Sequence, residues 1–176
     1  MHSPESRIVA VIGKPQTGKT RFCYNAVLES LRNGKKALII TTDVAYSDVL
    51  ARLGEEGGAA EKGAKLAVID CYSWRVGLET EAKYAAGELD DLGHLGTLAS
   101  KLAAGLPDRS VIVLDSVTTL TLHSQPRDVL KFLGVMFALA RKSGLKFFAV
   151  VEDGAHDAEF AARMKAMTDE IVETPQ

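Results

Sequence analysis

The chain has 176 residues, of which 47% are hydrophobic and 25% charged, with a formal net charge of −2. That length suits one domain over residues 1–176 with a sizeable core. The charge balance excludes the strongly basic class of proteins that grip nucleic acid without regard to sequence, so no strong nucleic-acid binding is expected. Cys23 and Cys71 lie in apolar runs and read as reduced, buried thiols. The opening MHSPESR lacks the apolar core of a signal peptide, and no run approaches ~20 apolar residues. A cytoplasmic location without a membrane span is expected.

RIVAVIG (7–13) is a short apolar run closed by glycine and predicts a buried strand. GKTRFCYNAVLESLRNG predicts a helix stopped at Gly34, and KKALIITTD (35–43) a second strand. A short helix is expected from Ser47 to Leu53, then a mobile Gly-rich loop, GEEGGAAEKGAK (54–65), and a third strand, LAVIDCY (66–72). Residues 75–90 show no clear period. Asp90 or Asp91 could cap a helix carrying Leu92, Leu95, Leu98, Leu102 and Leu106, although Gly93 and Gly96 weaken it. SVIVLDS (110–116) predicts a fourth strand, residues 125–142 the longest helix, LKFFAVVED (145–153) a fifth strand, 157–166 a short helix, and DEIVETP a last or edge strand. The strands are continuous apolar runs alternating with helices. This is the pattern of an α/β fold with a mostly parallel sheet covered on both faces.

Gly13, Gly18, Lys19 and Thr20 spell G-x-x-x-x-G-K-T between a predicted strand and a predicted helix, the setting in which that spacing cradles phosphates. Glycines let the backbone wrap an anion with its N–H groups, and the helix N-terminus adds a favourable dipole. The expected binding residues are Gly13, Lys14, Pro15, Gln16, Thr17, Gly18, Lys19, Thr20 and Arg21. Lys19 should reach the β- and γ-phosphates, and the Thr20 hydroxyl should ligate Mg²⁺. Asp115, at the tip of the VIVLDS strand and expected beside the phosphate-loop strand, could hold the same ion through its waters. Ser116 could tether that shell or cap a helix or turn. Asp43, ending the second strand, could polarise an attacking water or cap the helix that follows. No N-K-x-D segment marks a GTPase, and residues 116–145 carry only Arg127 and Arg141 as arginines, too few for a nucleoside-kinase lid.

Taken in order, GKPQTGKT, ALIITTD, VIDCYSWRVG and VIVLDSVTTL, continued by LARKSGLKFFAVVED and MTDEIVE, resemble the RecA/KaiC-like ATPases, above all the compact archaeal-type RecA-paralogue and KaiC-domain proteins. The resemblance spans essentially the whole chain. It implies a three-layer P-loop fold that binds ATP with Mg²⁺, often at a boundary between subunits, so a homo-oligomer or partner protein is expected. In that family the acid after the second strand activates water. Asp43 stands there, but Val44 breaks the paired glutamates usual in KaiC-like domains. Ring-forming members supply basic fingers across the subunit boundary. Arg75, Arg127 and Arg141 are candidates by residue type alone, against an ordinary solvated role for each.

Trp74 could stack on adenine, but anchoring its loop to the core is the preferred reading. His94, His123 and His156 lack metal-ligand spacing. Glu152 and Asp153 read first as a strand-end turn and second as neighbours of the γ-phosphate. The apolar residues of the long helix cover roughly 220° of its surface, wider than one core-facing stripe. Val129, Leu133 and Ala140 are expected in the core, with Phe132 and Leu139 nearer a flank open to an interface. The function expected is that of a slowly hydrolysing Mg-ATP-binding ATPase with a regulatory or assembly role. The alternatives are a non-hydrolysing ATP-binding signalling or scaffold protein and a DNA recombination or repair accessory protein.

Overall fold

The computed structural model describes residues 7–175. Apart from Arg7, the MHSPESR stretch read for leader character lies outside them. The elements in chain order are β1 (Arg7–Gly13), α1 (Lys19–Arg32), β2 (Ala37–Thr41), α2 (Tyr46–Lys62), β3 (Leu66–Asp70), a 3-10 turn (Trp74–Val76), β4 (Tyr84–Ala85), α3 (Leu92–Ala104), β5 (Val111–Asp115), α4 (Val117–His123), α5 (Pro126–Lys142), β6 (Lys146–Glu152), α6 (Ala158–Ala166) and β7 (Glu170–Glu173). The strands form one sheet in the order β4-β3-β2-β5-β6-β1-β7, with every pairing parallel. Parallel neighbours need long crossovers, and the intervening helices supply them.

The continuous apolar runs follow from two cores. Ile8, Ala10, Ile12, Leu38, Ile40, Ile112 and Leu114 point into one, against α3, α4, α5 and α6. The alternate residues Val9, Val11, Ile39, Val111 and Val113 point into the other, against α1 and α2. The central strands β1, β2 and β5 therefore feed both faces and show no polar side. The last predicted strand is the edge strand β7, paired among the described residues with β1 alone.

The structure corrects the mobile loop expected over 54–65. Helix α2 runs on to Lys62, and only Gly54 (φ 66°, ψ −160°) departs from helical geometry, as a kink. Of the glycines here, Gly57 serves close approach, whereas Gly54 and Gly58 face open space. A Cβ on Gly57 would lie 2.3 Å from the Leu53 Cβ. Arg32 of α1 grips Glu56 with two nitrogens at 2.8–3.2 Å and fixes the second half of α2 against its neighbour. The Phe132 ring of α5 packs over Gly96 of α3, 3.6 Å from where its Cβ would stand, an ordinary contact distance. Asp91 caps α3, accepting from the Gly93 amide at 2.9 Å.

Phe132 also corrects the expected flank. It is 6% exposed and sits in the core with Val129, Leu133, Met136, Phe137 and Ala140, while Leu139 is half-buried. The wide apolar arc of α5 is divided among the sheet, α3, α4 and α6, and Val135 is its large apolar residue left exposed. Phe132→Ala is expected to cost about 3–5 kcal/mol in urea unfolding, by lost transfer energy and a cavity. Val135→Ala on the open side of the same helix should stay within about 0.5 kcal/mol.

Candidate nucleotide-binding site

The loop between β1 and α1 is held by its own atoms. Gln16 takes a left-handed conformation (φ 62°), as does Gly18 (φ 88°), which starts α1. The Thr17 hydroxyl donates to the Lys14 carbonyl at 2.8 Å and closes the turn around Gln16. Lys19 Nζ donates to the carbonyl of Gly13 at 2.8 Å and to that of Lys14. No side chain caps α1 and no acid occupies its first turn, so its amides and dipole face the loop. Lys14, Pro15 and Gln16 form the exposed crest, and Gly13 is buried. A cavity of about 580 Å³ runs along Gln16–Arg21 and past Tyr24, Asn25 and Leu28 to Arg52.

Asp115 is brought to this loop by a route the sequence did not suggest. β5 is not beside β1, because β6 lies between them. Instead α1 crosses over to pack on β5, and the Thr20 hydroxyl in its first turn donates to Asp115 Oδ2 at 2.7 Å. Asp115 is 5% exposed. Burial pushes its carboxyl up to about 6, the Thr20 hydrogen bond opposes this, the Asp43 charge adds to it, and the Arg52 and Lys19 charges oppose it. A buried carboxylate paired with a hydroxyl is a hard-oxygen donor set, and the cost of its burial is relieved by a cation, so these residues fit Mg²⁺.

The raised Asp115 carboxyl couples folding to pH. The folded carboxyl binds its proton more tightly than the unfolded one, so its contribution to stability is full below about pH 4 and is lost as pH rises to about 6. Measured without nucleotide or Mg²⁺, Asp115→Asn should therefore be more stable than the wild type at pH 7, by up to roughly 3 kcal/mol. The difference between the two proteins should shrink toward pH 4. A pH-independent difference in urea midpoints would contradict this.

Asp43 stands at the exposed edge of the same region. Its Oδ1 accepts from the Thr119 hydroxyl, and the Thr42 hydroxyl lies 3.2 Å away with its proton directed to the Asp115 carbonyl. It does not cap α2, whose N-cap is Ala45. Thr42 stitches the two loops: its amide and hydroxyl donate to the Asp115 carbonyl at 2.8 and 3.0 Å, and its hydroxyl accepts from the Ser116 amide at 2.7 Å. Ser116 caps α4, accepting from the Thr119 amide.

Arg75 is not a solvated arginine. Its guanidinium donates to the Thr42 carbonyl and to His123 Nε2, the latter at 2.9 Å, and lies 5.6 Å from the Tyr72 ring centre. It therefore braces the Asp43 loop within its own chain. Arg141 is likewise engaged, with Asp169 and the Met167 carbonyl, both at 2.8 Å, while Arg127 is exposed. Trp74, read as a core anchor, is 67% exposed and outside the lining of the loop cavity. What anchors its segment is Asp70, buried at the end of β3. Asp70 accepts from the amides of Tyr46, Tyr72 and Ser73 and the hydroxyls of Ser73 and Thr80. Burial pushes this carboxyl up, but those bonds more than offset it and hold it below its ordinary range.

Glu152 and Asp153 form a strand-end turn against the loop, where the Asp153 amide donates to the Gly13 carbonyl at 2.9 Å. His156 stacks on Phe160 and shares a hydrogen bond with Thr118, and no cluster of metal-ligating side chains occurs among the described residues. Cys23 and Cys71 are buried and free. Burial pushes both thiols up, Cys71 to about 12. Sequence reasoning passed over Arg52, since one arginine in a helix carries no motif. Its charge reaches both Asp115 and Tyr24, whose buried hydroxyl has no partner among the described residues.

The family model described as "ATPase: KaiC" matches residues 3–161. The chain belongs to the KaiC ATPase family. A UPF0273 protein of Thermotoga maritima is 30% identical over 121 residues, covering 66% of this chain and 50% of the relative. A UPF0273 protein of Pyrococcus horikoshii is 26% identical over 124 residues, covering 68% and 50%. The chain thus spans about half the length of the curated relatives it matches. Among solved structures, a KaiC-like protein of Pyrococcus horikoshii superposes with a TM-score of 0.72 at 14% identity, covering 97% of this chain and 71% of the other. The flagellar accessory protein FlaH of Methanocaldococcus jannaschii superposes with a TM-score of 0.66 at 10% identity, covering 95% and 70%. The RecA/KaiC-like fold expected of this KaiC-family chain is borne out, and no helix among the described residues is long and apolar enough to cross a membrane.

Proposed function

We propose that this KaiC-family chain binds ATP with Mg²⁺ at the 13–21 loop and hydrolyses it slowly, the nucleotide state serving a regulatory or assembly event. The observation that carries this reading is the 2.7 Å pairing of Thr20 with buried Asp115 beside a Lys19 already folded over the loop. The amides of the loop and of the α1 N-terminus bind the phosphates, and Lys19 orients the β- and γ-groups. Thr20 and Asp115 would hold Mg²⁺, which supplies neutralisation of phosphate charge. Asp43 orients and deprotonates the attacking water. Calorimetric titration of Mg-ATP, run beside a phosphate-release assay, tests both halves. No binding sinks the reading. Binding without release leaves a non-hydrolysing ATP-dependent switch, which the Asp43 geometry favours as the second reading: one exposed carboxylate, one oxygen of which already accepts from the Thr119 hydroxyl.

A further inference from the structure

The edge strand β7 reaches back to the phosphate loop. Its ladder with β1 runs from Val9↔Glu170 to Ile12↔Glu173, and one further bond, from the Thr174 amide to the Ile12 carbonyl at 2.9 Å, carries it past the strand end. Thr174 is thereby set against Gly13. A Cβ on Gly13 would fall 1.9 Å from Thr174 Oγ1 and 2.6 Å from Thr17 Oγ1, so the first glycine of the loop makes room for two hydroxyls. Those hydroxyls are 2.6 Å apart. Each has one proton. Thr17 uses its own on the Lys14 carbonyl at 2.8 Å, so Thr174 is the donor between them, its other acceptor, the Ile12 carbonyl, being distant at 3.4 Å. The result is a relay from Thr174 to Thr17 to the Lys14 carbonyl, which also accepts from Lys19 Nζ.

We propose that Thr174 is a positioning residue for phosphate binding: through Thr17 it holds the Lys14–Gly18 loop, with Lys19 attached, in the form that receives a nucleotide phosphate. This rests on the ATP-binding reading above. The loop needs such a tether. Its crest is exposed, and Gln16 sits in a left-handed conformation that side chains other than glycine adopt at a cost. A chain of hydroxyls polarises along its length, so the terminal donor strengthens the Thr17 bond that closes the turn. A loop already in its bound shape spends less of its binding free energy on ordering.

The test compares Thr174→Val, which keeps the branched shape and loses the hydroxyl, with Thr174→Ser, which keeps the hydroxyl. Amide hydrogen exchange over residues 14–18 is read without nucleotide, Mg-ATP affinity by calorimetry, and global stability by urea. Thr174→Val should speed exchange of the loop amides by about tenfold and weaken Mg-ATP by about three- to tenfold, the range expected for one lost hydrogen bond. Thr174→Ser should match the wild type in both, with similar urea midpoints for the two variants. Unchanged loop exchange in Thr174→Val, equal shifts in both variants, or faster exchange with unaltered affinity would each overturn the proposal. A wild type that binds no Mg-ATP would overturn the nucleotide reading instead, and the exchange comparison would still decide whether Thr174 holds the loop.

Discussion

Lys19→Ala is expected to lower Mg-ATP affinity by about a hundredfold or more while the fold survives. The ammonium is the charged side chain that folds over the loop, donating to the Gly13 and Lys14 carbonyls at the mouth of the α1 amides. Charge-assisted bonds to phosphate oxygens are worth roughly 1.5–3 kcal/mol each, so losing contacts to both the β- and γ-groups costs about 3 kcal/mol or more. Stability should change little, within about 1 kcal/mol, because the bonds removed lie on a half-exposed loop and no core contact is lost. Calorimetry with circular dichroism on the same samples checks both parts. Unaltered affinity would remove the assignment of this loop as the nucleotide site.

Asp43→Asn should leave Mg-ATP binding within a few-fold of the wild type and lower phosphate release by about 10²–10⁴-fold, the usual loss when a general base is removed. The substitution is nearly isosteric. The amide oxygen can still accept from Thr119, so the stitched Thr42–Ser116 loops need not move. Val44 cannot stand in as a base. If the variant releases phosphate at the wild-type rate, water is activated by another group. If the wild type itself does not exceed the Lys19→Ala control, the chain is a switch that works by binding alone. Arg75 bears on the same point, since it braces the Thr42 carbonyl from within the chain and is committed there.

The β1–loop–α1 unit was legible in the sequence because every signal in it is local. An apolar run, a fixed spacing of glycines and a lysine at a helix start each depend on neighbours within a few residues, and the structure places them as read. The parallel sheet was legible for a related reason: strands buried on both faces carry no polar alternation. Asp115 could be singled out as the acid ending a strand, although its path to Thr20 could not. That path depends on β6 lying between β5 and β1 and on α1 crossing over them, a choice of strand order that no periodicity encodes. The glycines of 54–65 show the same limit from another side. Glycine permits either free backbone or regular helix, and the packing of α2 on β3 and α1, with Arg32 holding Glu56, supports the helix here. Trp74 departs from its expected anchoring role because residue type sets only how much an aromatic gains by burial, whereas Asp70 and its five donors fix the segment and leave the ring outside. The pairs that shape the site beyond the loop, Arg75 with Thr42 and Thr174 with Thr17, join residues 33 and 157 positions apart. Each such contact is a hydrogen bond between ordinary residues, side chain to backbone carbonyl in the first and hydroxyl to hydroxyl in the second, and it exists because the sheet brings strand ends together at one edge, a consequence of packing that only the tertiary structure could supply.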